Sequence, residues 1–333
     1  MTDQPHDLPD GLHDFLGPAG WLDAAIDPIP GDASFRRYFR VTGSGKRAML
    51  MHAPPPHEDP RPFLDVAGWL SGEGHRAPEI LAADAGAGWV LIEDFGTDRM
   101  RDWLDVNPAG EHGAYAAAID ALVRLHRSPP GPFPPYDMAV YQREADLLTE
   151  WYCPAVGLAV DAEAYRTAWA EALAPLIERQ RPGVTVLRDY HAENIMLLAP
   201  AADGRGEQGL IDFQDALVGH PAYDLVSLLQ DARRDVPLEL ERAMLDRYQS
   251  SAGAPDTFEA DYALLGAQRN AKIVGIFTRL ARRDSKPRYL SLIPRVWQAM
   301  ERDLAHPALA PVARWFDANI PARLRDAHGG EVE

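Results

Sequence analysis

Hydrophobic positions along the chain change their period near residue 97, and the change separates a strand-bearing front from a helical remainder. The second half of Gly31-Asp-Ala-Ser-Phe-Arg-Arg-Tyr-Phe-Arg-Val41 alternates polar with apolar, as a strand with one buried face must. Residues 47–53 read as the next strand, and Gly88-Trp-Val-Leu-Ile-Glu-Asp-Phe-Gly96 as a strand running into a hinge. Between these two a Pro-rich stretch breaks the chain, after which Phe63, Val66, Ala67 and Leu70 recur at helical spacing. Beyond residue 97, Tyr115, Ala118, Ile119, Leu122, Val123 and Leu125 mark an amphipathic helix that stops at the prolines between 129 and 135. Further helices are predicted at about 140–152, 161–180, 237–251, 258–283 and 291–304. There is no internal repeat, and the tail after Ala327 is expected to fray.

Residues 187–215 carry the chemistry. Leu187-Arg-Asp-Tyr-His-Ala-Glu-Asn194 is followed by the short apolar run 195–198, a turn-rich polar interruption and Leu210-Ile-Asp-Phe-Gln-Asp215, which together predict a loop and then a hairpin. The spacing of Asp189, Asn194 and Asp212 suits phosphoryl transfer. Such a reaction needs a carboxylate near the attacking hydroxyl and hard oxygen ligands for the cation that neutralises the phosphates. Asp189 is the candidate base, and Asn194 and Asp212 are the candidate magnesium ligands. Magnesium takes few protein ligands and leans on substrate phosphates, so one amide and one carboxylate suffice. Any one of these residues alone would pass as an ordinary turn residue. Their order around a hairpin argues for the joint role.

This segment resembles the catalytic and metal-binding loops of the aminoglycoside phosphotransferase and choline kinase superfamily, relatives of the protein kinases. The resemblance extends through Gly219-His-Pro-Ala-Tyr-Asp-Leu225, where such enzymes carry an Asp that braces the catalytic loop, here Asp224. It implies an α+β, bilobal protein-kinase-like fold. Residues 1–95 would form a small antiparallel-sheet nucleotide lobe with one main helix, and 96–333 a larger, mostly helical catalytic and acceptor lobe. It also implies ATP and Mg²⁺, with adenine at the hinge beside Glu93 and Phe95 and the phosphates under a loop that includes Gly31, Ser34 and Arg36. Two departures are visible. Leu187 stands where the superfamily usually has His, and the third strand lacks the customary phosphate-binding Lys, so Lys46 or an Arg of the preceding loop must substitute.

Composition fits a soluble enzyme. With 333 residues, 46% of them apolar, the chain can bury a substantial core. No apolar run is long enough to span a bilayer, and the polar, acidic start reads as neither signal nor transit peptide. The single Cys153 suits a reducing cytoplasm. A net charge of −17 argues against a nucleic-acid partner. The sequence does not set the oligomeric state; a monomer is the default expectation. His and Cys lack zinc spacing.

Several segments border the expected acceptor pocket. Arg188, His191 and Glu193 lie in the catalytic loop and Asp215 follows the metal ligand, while Glu150 and Trp151 sit on a predicted helix with Tyr152, where a Trp-Tyr pair is more often core. His191 reads as a positioning group and His126 as a packed structural histidine. The helix over 268–284 concentrates cations, which fits either a solvated face or an acceptor-facing one. Together with Asp32–Arg40, Leu91–Gly96 and Gln230-Asp-Ala-Arg-Arg-Asp-Val236, these segments resemble the subgroup of cell-wall-recycling sugar kinases. That subgroup phosphorylates the anomeric hydroxyl of N-acetylmuramate and N-acetylglucosamine, so the resemblance implies a small amino sugar as partner. The alternatives are a kinase of another hydroxyl acceptor (aminoglycoside, choline, methylthioribose, homoserine) or a nucleotide-binding pseudokinase scaffold.

Overall fold

The computed structural model describes residues 8–29, 35–198, 208–326 and 329–332. The chain forms two compact units, residues 1–99 with 195–215 and residues 100–194 with 216–333. From sequence, the boundary falls at 95/96 and the 195–215 hairpin goes with the larger domain. Here the hairpin groups with the sheet, because Leu197 donates its N–H to the Asp98 carbonyl and Leu210 donates to the Arg76 carbonyl, each at 2.8 Å.

The first unit is built on a five-stranded antiparallel sheet of β1 (Ala25–Ile29), β2 (Arg37–Gly43), β3 (Lys46–His52), β4 (Ile80–Asp84) and β5 (Trp89–Glu93), in the order β1-β2-β3-β5-β4. Alternation places Phe39, Val41, Ala48, Leu50, Trp89 and Leu91 on one face, and Leu12 and Leu16 of the short helix Leu12–Leu16 close over them. Ser44 and Gly45 both have positive φ, 51° and 73°, the twist a two-residue hairpin between β2 and β3 requires. The edge strands β1 and β4 are exposed on much of both faces and show no alternation to predict them. Pro28 is tolerated in β1 because an edge strand can spare a donor. Phe63, Val66, Ala67 and Leu70 form the buried stripe of helix Arg61–Gly72, as their spacing predicts.

The second unit is mostly helical, organised around helix Phe258–Arg282, which is buried nearly all round from Asp261 to Gly275. Against it pack the helices Met138–Ala145, Ala222–Leu229 and Ile293–Leu304. Helix Glu111–Arg127 buries the predicted stripe. The helix expected over 140–152 stops at Ala145 and resumes as a widened π-turn, Leu148–Tyr152. Gly275 explains the seating of that turn, since a Cβ there would meet the Leu147 backbone at 2.3 Å. Helix Ala222–Leu229 has no sequence signal because all eight of its residues are buried, which leaves no polar face to set a period. The tail does not fray throughout: Gly329 is buried against Trp297. Among the described residues no helix is long and apolar enough to cross a membrane.

Candidate active site

Strand Val184–Val186 pairs with Leu217–Gly219 and delivers the chain into the loop 187–194. The fully buried Asp224 carboxylate accepts the N–H groups of Leu187 at 2.7 Å and Arg188 at 2.8 Å. Arg188 sits at φ +71°, a left-handed conformation that costs a non-glycine residue on the order of 1–3 kcal/mol and persists only when its surroundings enforce it. Asp224 enforces it through main-chain donors, so the loop needs no histidine at position 187, and Leu187 is simply buried. The Asn194 amide donates to the Asp189 carbonyl at 3.0 Å, and the Asn194 N–H donates to the His191 carbonyl at 2.9 Å. These bonds close the five-residue interval between the two residues into a turn.

The Asp189 carboxylate, 42% exposed, lies in a cationic surround, with the Arg269 guanidinium 3.5 Å away. Burial works against its charge, but Lys272, Arg269, His191 and Arg188 outweigh it and hold the carboxyl below the usual carboxylate range. Those cations are themselves anchored. Glu144 pairs with Arg188 and with Lys272 (3.1 Å) and accepts from the Tyr136 hydroxyl, while Lys272 also reaches the Tyr223 hydroxyl at 3.3 Å and Arg269 donates to Ser227 at 2.9 Å. Burial keeps the His191 pKa below its ordinary value. Its Nε2 faces the Arg233 guanidinium and the Asn194 amide, both at 3.4 Å. Lys272→Met is expected to let the Asp189 pKa rise and so move the acid limb of kcat/KM to higher pH. A pH profile with an unmoved acid limb would show that Lys272 does not act on Asp189.

In the first unit, strands Ile195–Leu197 and Gln208–Leu210 make the expected hairpin, with Ile195 opposite Leu210. Asp212 follows at φ +59°, its carboxylate exposed and accepting from the Gln214 amide at 3.0 Å. Phe213 is buried and stacks on Phe63 at 5.1 Å, which fixes the direction in which Asp212 leaves the strand. Arg36 bonds Glu58 at 3.1 Å, and Asp215 and Tyr38 lie within its field. Lys46 stands exposed at the turn beside Gly43, six residues along β2 from Arg37, so it lies about 20 Å from the Arg36 end of the sheet. Glu93 is held by Arg76 at 2.6 Å, and Phe95 lies beneath the same guanidinium at 4.7 Å. Gly31 and Ser34 fall outside the described residues.

Residues 25–263 match the phosphotransferase enzyme family over most of the chain. The chain belongs to that family. It is 36% identical over 352 aligned positions to a Caulobacter vibrioides protein named N-acetylmuramate/N-acetylglucosamine kinase, with 93% of this chain and 96% of that one covered. A Pseudomonas aeruginosa protein of the same name is 39% identical over 319 positions, 91% of each chain. The fold is similar to that of a choline/ethanolamine kinase family protein from Mesorhizobium loti, with a TM-score of 0.61 at 16% identity, covering 91% of this chain and 97% of that one. The fold is therefore the α+β, protein-kinase-like one expected, and the protein is a phosphotransferase.

Of the residues singled out in this phosphotransferase, Asp189, Arg188, His191, Glu193, Asn194 and Asp224 share one loop and its brace. Glu193 is shared by Arg101 (2.6 Å) and Arg233 (3.2 Å). Glu150 is exposed and Trp151 half-buried on the π-turn, and neither side chain bonds the loop among the described residues. Tyr152 is core, its hydroxyl on the Leu324 carbonyl at 3.0 Å. His126 is packed as expected, bonding the Tyr248 hydroxyl at 2.7 Å. Glu144 escaped the sequence reading, although a signal exists. It lies in phase with the buried Tyr141, Ala145 and Leu148, and an acid at an apolar phase requires a buried cation. Lys272 has the same signature in helix Phe258–Arg282. The inner part of that helix faces the loop 187–194 through Arg269, while Arg283 turns outward to Asp284 at 2.8 Å.

Proposed function

We propose that this phosphotransferase transfers the γ-phosphoryl group of ATP to the anomeric hydroxyl of N-acetylmuramate and N-acetylglucosamine, forming the sugar 1-phosphate in the cytoplasm and returning cell-wall amino sugars to use. One observation carries the reading: relatives of that name align with this chain over more than nine-tenths of its length. The local field supports it. The net charge of −17 favours cationic acceptors such as choline, yet the groups around Asp189 are Arg188, Arg269 and Lys272, which favour an anionic or neutral one.

Asp189 orients the acceptor hydroxyl and takes its proton. A carboxylate held ionised by cations is a weak base, which suffices because the phosphoryl transition state is loose and an anomeric hydroxyl is more acidic than an ordinary alcohol. Arg36, steadied by Glu58, holds phosphate oxygens in place of the missing third-strand lysine, and the main chain at 93–95 meets the adenine. Asn194 and Asp212 present an amide and an exposed carboxylate, hard oxygen donors that fit magnesium. Magnesium bound there would neutralise the charge of the phosphates. The test is incubation with ATP, magnesium and each sugar, followed by phosphorus NMR of the product. An acid-labile phosphate on carbon one is expected. Turnover of choline or an aminoglycoside, with neither sugar consumed, would refute the assignment.

A further inference from the structure

The cations set around the loop 187–194 are engaged. Arg269 bonds Ser227, Lys272 and Arg188 share Glu144, and Arg233 pairs with Glu193 at 3.2 Å. Arg279 is different. It lies seven residues after Lys272 on helix Phe258–Arg282, two turns along the same line and about 10 Å further out. It is half-buried, its Nε is shielded from solvent with no hydrogen-bond partner, and it makes no ion pair among the described residues. Burial and the like charge of Arg283 both lower its pKa, with Glu150 and Asp284 opposing, and Asp284 is already paired with Arg283. Gly275 lets the π-turn settle on this helix, which brings Glu150 into the field of Arg279. A guanidinium in such a place is stabilised by an anion supplied from outside. Side chains on a helix lean toward its N-terminus, so Arg279 is directed back along the helix toward the Lys272 turn.

The two sugars differ by a single group. N-acetylmuramate carries a lactyl ether on carbon three, two ring bonds from the anomeric carbon, and that ether ends in a carboxylate. We infer that Arg279 receives this carboxylate and thereby sets the preference of the enzyme for the acidic sugar over the neutral one. The inference rests on the acceptor reading above and names the residue that discriminates within it.

The test compares wild type, Arg279→Met and Arg279→Lys on N-acetylmuramate, on its neutral methyl amide and on N-acetylglucosamine. Loss of a charged hydrogen bond predicts that Arg279→Met lowers kcat/KM for N-acetylmuramate roughly 10- to 100-fold. N-acetylglucosamine turnover should stay within about twofold, which also reports that the variant is folded, and Arg279→Lys should recover part of the loss. The methyl amide should lose a similar factor with wild type and nothing further with Arg279→Met. If wild type consumes both sugars but Arg279→Met slows both equally, or neither, this inference fails while the acceptor reading stands. If wild type consumes neither sugar, the acceptor reading fails and takes this inference with it.

Discussion

Asp189→Ala is expected to cut turnover by roughly two to four orders of magnitude, the usual contribution of a positioned acid–base group, while leaving ATP affinity nearly intact. The loop would keep its shape, because it is held by the Asp224 carboxylate on the Leu187 and Arg188 N–H groups and by main-chain bonds that the substitution does not touch. The loss would therefore be in kcat and not in folding. What disappears is the carboxylate that Lys272, Arg269, His191 and Arg188 surround. Steady-state turnover of N-acetylmuramate, alongside calorimetric ATP binding, checks this. A turnover within about threefold of wild type would remove Asp189 from the chemistry.

Glu144→Ala is expected to cause the largest loss of stability. The carboxylate is the shared partner of Arg188 and Lys272 and an acceptor for Tyr136, all inside the second unit. Removing one member of a buried charge cluster costs about 3–5 kcal/mol, because the cations left behind are neither solvated nor paired. At a few degrees per kcal/mol, the melting transition should fall by on the order of 10 °C. Acidity has the same sense. Burial opposes the Glu144 charge but Lys272 and Arg188 outweigh it, so the carboxyl titrates below its ordinary value. Its contribution is complete above the unfolded pKa of about 4.3 and is lost as pH falls through the lower folded value. A scanning calorimetry trace that matches wild type at neutral pH would mean the cluster is solvated and inert.

Elements with one wet and one dry face were legible before any coordinates. Helix Arg61–Gly72, helix Glu111–Arg127 and strands β2, β3 and β5 follow from the spacing of their apolar residues. Elements without that contrast were not. Helix Ala222–Leu229 is dry all round, and β1 and β4 are edge strands with much of both faces wet. The break at Ala145 was equally hidden, since it depends on Gly275, 130 residues away in the chain, admitting the Leu147 backbone. In the site, Asp189, Asn194 and Asp212 are proposed from their spacing, and the place of Asp224 under the loop, on the Leu187 and Arg188 N–H groups, was expected from the motif around it. Glu144 could not compete with Glu150 and Trp151, whose chemistry looked more suited to a sugar.

The order of residues was enough to specify the turn at 189–194 and the hairpin after it, because these are local structures whose geometry depends on neighbours in the chain. Which charges surround that loop was a matter for the folded molecule. Glu144 meets Arg188 across 44 residues and Lys272 across 128. Periodicity reveals that a face is buried but not which distant charge is buried against it. The ionisation of Asp189 depends on that pairing of distant charges, because Glu144 holds Arg188 and Lys272 beside it.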